Sequence, residues 1–231
     1  MKRRLFITGG LATVGAISYP TLFPSPLSAR AGTAFANPIL PQKLSADDIK
    51  WIVAKAIMRT VAWAEGAWWP GREQDDTYKT LFGGGLFDSY ADHPDTVICV
   101  PGQCGRDDDI CCSSAAGAYQ FMPYTWYPLR QRYSQWYEGD KFSPANQDLG
   151  FLRLYAEIGS LWRLEKGITV LHQKVDVKPD AFRASVAHSA NCWCGLPGTR
   201  RGECAGQPQR SWEETEDWFY TQLKAQQQVP A

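Results

Sequence analysis

The chain has 231 residues, 44% of them hydrophobic and 13% aromatic, a composition that suits one domain with a sizeable core or two small ones. It excludes a disordered, collagenous or coiled-coil chain. Lys and Arg total 24 and so do Asp and Glu, so no excess of positive charge points to a polyanion as partner.

Residues 1–36 read as an export signal. "MKRR" is basic, "LFITGGLATVGAIS" is a short apolar run broken by glycine, and "AFA" at 34–36 fits an A-x-A cleavage site. Arg3-Arg4-Leu5-Phe6-Ile7 also resembles a twin-arginine signal. The rival reading, an uncleaved anchor, is opposed by a run shorter than the ~18–20 residues that span a bilayer. Removing this segment takes away Lys2, Arg3, Arg4 and Arg30 and no acid, leaving 20 basic against 24 acidic residues. The mature chain is then mildly acidic, so nucleic acid is not the expected partner. The expected location is outside the cytoplasm, in the periplasm or at the extracellular wall.

A Pro-containing linker covers residues 37–44, and residues 45–231 form one domain. Ser45 and Asp48 pattern as a capping box. Ile49, Ile52, Val53, Ala56, Ile57, Thr60, Val61 and Ala64 then fall on one helix face, ending at Glu65-Gly66. Residues 78–120 carry Gly83-Gly84-Gly85 and a cysteine loop and suit a small hairpin region. Helices follow near 123–137, from Ser143-Pro144 to about Ile158, and over 180–190, and Ser211 with Glu214 caps the last. The "AQQQVPA" end frays.

Seven cysteines in an exported chain are disulfide partners before they are metal ligands. They cluster in "CVPGQCGRDDDICC" and "CWCGLPGTRRGEC", neither with paired C-x-x-C spacing, and His93 and His188 are not at finger-like offsets. No metal and no cofactor is expected. The odd count leaves one thiol unpaired or intermolecular.

Glu65 stands in "TVAWAEGAWW", at the end of the apolar helix and among Trp63, Trp68 and Trp69. The partial negative charge of a helix C-terminus and an apolar surround both raise a carboxyl pKa, as a proton donor near neutral pH requires. A solvent-facing glutamate beside a terminating glycine is the competing reading of this stretch alone.

Other segments in the same order bear on that choice. "VAWAEGA", "YKTLFGGGLFDSYADHP", "SSAAGAYQF", "FSPANQD" and "ANCWCGLPG" resemble successive segments of the lambda-phage endolysin family, the lambda-type lytic transglycosylases, over about residues 45 to 200. The resemblance implies an α+β, lysozyme-like fold, mostly helical with a small hairpin region. Two lobes would enclose a cleft for the glycan strands of peptidoglycan, with Glu65 as the catalytic acid. It implies that Tyr119 and Gln120, with Gly117, position an N-acetyl sugar, and that Trp193 and Pro197 form a cleft wall. Tyr78, Phe82, Gly83 and Gly84 would shape the hairpin, Asp92 would make an Asx turn before Pro94, and His93 is a weak base candidate. The family has a basic side chain where this chain has Ala118, and the cysteine clusters are additions. The implied activity is cleavage of the MurNAc–GlcNAc β-1,4 bond, leaving 1,6-anhydro-MurNAc ends, by a monomer. The alternatives are a hydrolytic muramidase with Asp88 or Asp92 as second carboxylate and an inactive glycan-binding module.

Export is directly testable. Residues 1–36 should be absent from the mature protein, and replacing Arg3 and Arg4 by lysines should stop transport through the twin-arginine route. Normal export of that variant would leave a generic secretory signal.

Overall fold

A computed structural model describes residues 44–101, 110–137, 139–198 and 208–228. The expected export signal, and the linker apart from Leu44, lie outside them. Among the described residues no helix is long and apolar enough to cross a membrane.

Helix α1 spans Ala46–Ala64, and its capping box is complete: Ser45 accepts from the Asp48 N–H while the Asp48 carboxylate accepts from the Ser45 N–H. Its far end closes as a glycine terminus should. Gly66 takes φ +72, and the N–H groups of Gly66 and Ala67 donate back to Trp63 O and Ala62 O at 3.0 and 2.9 Å. Val53, Ala56, Ile57 and Val61 face the core. α7 (Trp212–Gln226), opened by a second capping box from Ser211 and Glu214, lies along α1. The Trp63 and Trp218 rings stack at 5.2 Å, and Arg59 donates to Gln222.

Between them the chain forms α2 (Gln74–Tyr78), α3 (Pro123–Arg132), α4 (Pro144–Glu157), α5 (Ser160–Glu165) and α6 (Pro179–Ser189). Proline opens α3, α4 and α6, where its missing N–H costs nothing. The core is strongly aromatic. Tyr119, Phe151, Tyr155 and Trp193 pack with ring centroids 4.5–5.8 Å apart, and Trp126 packs against Phe121 and Phe142.

Two antiparallel hairpins complete the α+β arrangement. β1 (Ile98–Pro101) and β2 (Ile110–Ser113) fall in the expected hairpin region and set Cys99 opposite Cys112, which are disulfide-bonded. Cys111 and Cys194 are also in disulfides, and Cys192 is the free cysteine of the described residues. The second hairpin, β3 (Ile168–Leu171) with β4 (Lys174–Val177), corrects the single hairpin region expected from sequence. Its turn places His172 and Gln173 at φ +48 and +62 without the Gly or Asn that marks such turns.

Replacing Cys99 and Cys112 together by serine should lower unfolding stability by about 3 kcal/mol in a urea titration, the entropy of one short closed loop. Thiol counting on unfolded, unreduced protein should find one free thiol.

Candidate active site

Where α1 ends, the Asn191–Gly195 turn after α6 meets it at a distance that only glycine allows. A Cβ on Gly195 would lie 2.1 Å from the Ala64 carbonyl oxygen. At that spacing the Gly195 N–H donates to Glu65 Oε1 at 2.8 Å. Glu65, just past the last helical residue, stands part-buried on a cleft of about 1260 Å³. Burial pushes its carboxyl up to about 7, against the opposing pull of the Gly195 N–H.

The tryptophans expected around Glu65 have other partners. Trp63 and Trp68 pack on Trp218, and Trp69 is 46% exposed under the Arg72 guanidinium. None of the three lines the cleft; its described lining runs through Thr80–Gly84, Cys111–Ser113, Tyr119–Met122 and Asn191–Gly195. Phe82, Gly83 and Gly84, expected only to shape the hairpin, are therefore on the cleft surface.

Glu65 is the one carboxylate among the described lining residues. Neither candidate for a second acid is there. Asp88 is exposed elsewhere. Asp92 is ion-paired to Arg130 at 2.9 Å and Lys141 at 3.4 Å and accepts the His93 N–H. Burial alone would raise the Asp92 carboxyl; these partners outweigh it and hold the group below its ordinary range. The expected structural role of Asp92 thus takes the form of an ion-paired turn. His93 is buried, donates from Nε2 to Phe121 O at 2.8 Å and accepts the Asp95 N–H on Nδ1 at 3.0 Å. With both ring nitrogens engaged and burial lowering its pKa, it holds a loop and offers no base to the cleft.

The expected sugar contacts are redistributed. Tyr119 reaches the cleft lining, but its side chain is 2% exposed, stacked on Phe151, with its hydroxyl donating to Asp148 Oδ1 at 2.7 Å. Gly117 faces inward: at φ +80 its missing Cβ would lie 2.2 Å from Gln147 Oε1, and it is not part of the lining. Trp193, expected in the cleft wall, is part of the lining, 2% exposed and donating its indole N–H to Tyr119 O. Pro197 is buried away from the lining. Gln120 does lie on the cleft, left-handed at φ +45, its amide nitrogen donating to Gly117 O and Thr80 O.

Sequence reasoning missed Gly195 and Asp148. Both sit in segments it singled out, "ANCWCGLPG" and "FSPANQD", yet their partners are 130, 29 and 70 positions away.

A protein-family model described as Endolysin matches residues 55–225. The endolysin of Escherichia phage lambda is 28% identical over 151 residues, covering 64% of this chain and 80% of that protein. Two solved structures share the fold. A bacteriophage lambda lysozyme complexed with a chitohexasaccharide matches at TM-score 0.57 and 24% identity, over 74% of this chain and 94% of that one. A lysozyme from bacteriophage lambda matches at TM-score 0.54 and 23% identity, over 76% and 94%. The lysozyme-like fold expected from sequence is therefore the fold of this chain.

The raised pKa of Glu65 has a consequence for stability. A carboxyl that titrates near 7 when folded and near 4.5 when unfolded favours the folded state fully below about 4.5, and that contribution is lost as pH rises through 7. Glu65→Gln should therefore match wild type at pH 4 and exceed it at pH 8, by on the order of 1–3 kcal/mol in denaturant titrations. Equal pH dependence in the two proteins would contradict the raised pKa.

Proposed function

The chain belongs to the endolysin family of peptidoglycan-degrading enzymes, and from that premise we propose that it is a lytic transglycosylase with Glu65 as both acid and base. The observation that carries this reading is the solitary carboxyl: Glu65 is the only acid among the described cleft residues, and its pKa is raised to about 7. A hydrolase of the two-carboxylate type needs a second acid within ~5–9 Å, and neither Asp88 nor Asp92 is among the described lining residues. The glycan strand is the proposed substrate, and the chitohexasaccharide held by the lambda lysozyme structure is a ligand of the same class. Action outside the cytoplasm is part of the proposal, supported by the disulfides at Cys99, Cys111, Cys112 and Cys194.

The chemistry follows from one proton. Protonated Glu65 gives it to the glycosidic oxygen, and the bond to C1 breaks through an oxocarbenium-like state. The substrate's own N-acetyl carbonyl stabilises the cation in place of a nucleophilic carboxylate. Glu65, now ionised and steadied by the Gly195 N–H, takes the proton of the C6 hydroxyl. That oxygen closes onto C1, leaving a 1,6-anhydro end and the protonated acid, with no water consumed.

Mass analysis of purified walls digested by the enzyme should show anhydro ends; ends heavier by one water would identify a hydrolase. Glu65→Gln should lose ~10²–10⁴-fold in rate while still binding glycan, and an active variant would remove Glu65 from the role. The wild-type rate should fall as pH rises through about 7.

A further inference from the structure

The mechanism leaves one enclosed acid unused. Asp148, on α4, receives two phenolic hydroxyls on the same oxygen: Tyr78 and Tyr119 each donate to Oδ1 at 2.7 Å. Lys55 and Arg59 of α1 are the cations that act on this cluster, and neither makes an ion pair with Asp148 among the described residues. Asp148 is not among the described lining residues of the cleft.

The two phenols differ in what they hold. Tyr78 ends α2, and its carbonyl is bound by Gln147, the neighbour of Asp148. Tyr119 leads to the site. Its ring is wedged against Phe151, its hydroxyl is fixed by Asp148, and its carbonyl accepts the Trp193 indole N–H at 3.2 Å. Two residues beyond Trp193, Gly195 donates to Glu65. The links are hydrogen bonds, rigid aromatic rings and the short backbone from Trp193 to Gly195, so displacement at the Tyr119 hydroxyl moves the turn that presents the Gly195 N–H.

We propose that Asp148 is a positioning residue for the acid: through Tyr119 and Trp193 it sets the Gly195 turn and hence the hydrogen bond to Glu65. The proposal rests on Glu65 being the acid and is indifferent to whether the product is anhydro or hydrolytic.

The two phenols provide their own control. Tyr119→Phe and Tyr78→Phe each remove one oxygen from the same carboxylate and keep the ring, so their stability losses should be similar. Activity is scored as soluble glycan released, whatever its ends, across pH. In Tyr119→Phe the Gly195 N–H loosens and the ionised form of Glu65 loses a donor. The alkaline limb of kcat/KM should move up by about half to one pH unit, and kcat should fall about tenfold with KM little changed. Tyr78→Phe should leave that limb at its wild-type position. Asp148→Asn, which retains an acceptor without the charge, should move the limb part of the way. A limb that moves equally in both tyrosine variants, or in neither, overturns the proposal and leaves Asp148 a packing residue. Failure of the underlying reading shows separately, as product mass or as activity of Glu65→Gln.

Discussion

The site depends on a contact between two backbones. α1 ends at Ala64, and the turn that follows α6 lies on that end so closely that Gly195 has no room for a side chain. The closeness is what lets a peptide N–H reach Glu65 Oε1. The turn is held from its other face as well, since the Gly195 carbonyl accepts the Arg210 N–H at 2.9 Å and Leu196 is fully buried. Arg210 also lies over Trp63 on α1. The helix end, the turn and the approach to α7 thus form one tied junction, and the acid sits at its centre.

Around that junction the work of stability and the work of chemistry are separated. Most polar groups that look catalytic in the sequence are consumed by structure. Asp92 joins α3 to the loop before β1 through Arg130. His93 pins Phe121 O, and the Tyr119 hydroxyl goes to Asp148. Hydrogen-bonding them leaves few unsatisfied buried groups to destabilise the core. Glu65 keeps a carboxyl in partial burial with a backbone N–H as its partner, which is destabilising for a fold and useful for a proton donor.

How much of this was legible depended on range. α1 and α7 were readable because period and capping are local: Ser45 with Asp48 and Ser211 with Glu214 act within one turn. The starts of α3, α4 and α6 follow from prolines at fixed positions. The β3–β4 hairpin was not readable, because His172-Gln173 adopts left-handed backbone through tertiary context and not through its residue types. Glu65 stands out as a candidate acid through the resemblance of several segments and not through its neighbours alone, and its surroundings differ from those the neighbours suggest. Trp63 and Trp68 turn toward α7, while the group that touches the carboxyl comes from 130 positions away. Tyr119 has the same limit: the resemblance makes it a sugar contact and it does reach the cleft lining, but the partner of its hydroxyl, Asp148, lies 29 positions away.

The lining of the cleft has a further consequence. Apart from Glu65, every described residue on it is uncharged, with no lysine or arginine among them. Attraction between fixed charges weakens as ions accumulate within ~10 Å of them at 0.1 M salt, but contacts of neutral sugar with peptide groups, hydroxyls and hydrocarbon have no such dependence. On the proposed reading, the described lining would therefore hold a neutral oligosaccharide through contacts that do not weaken with ionic strength.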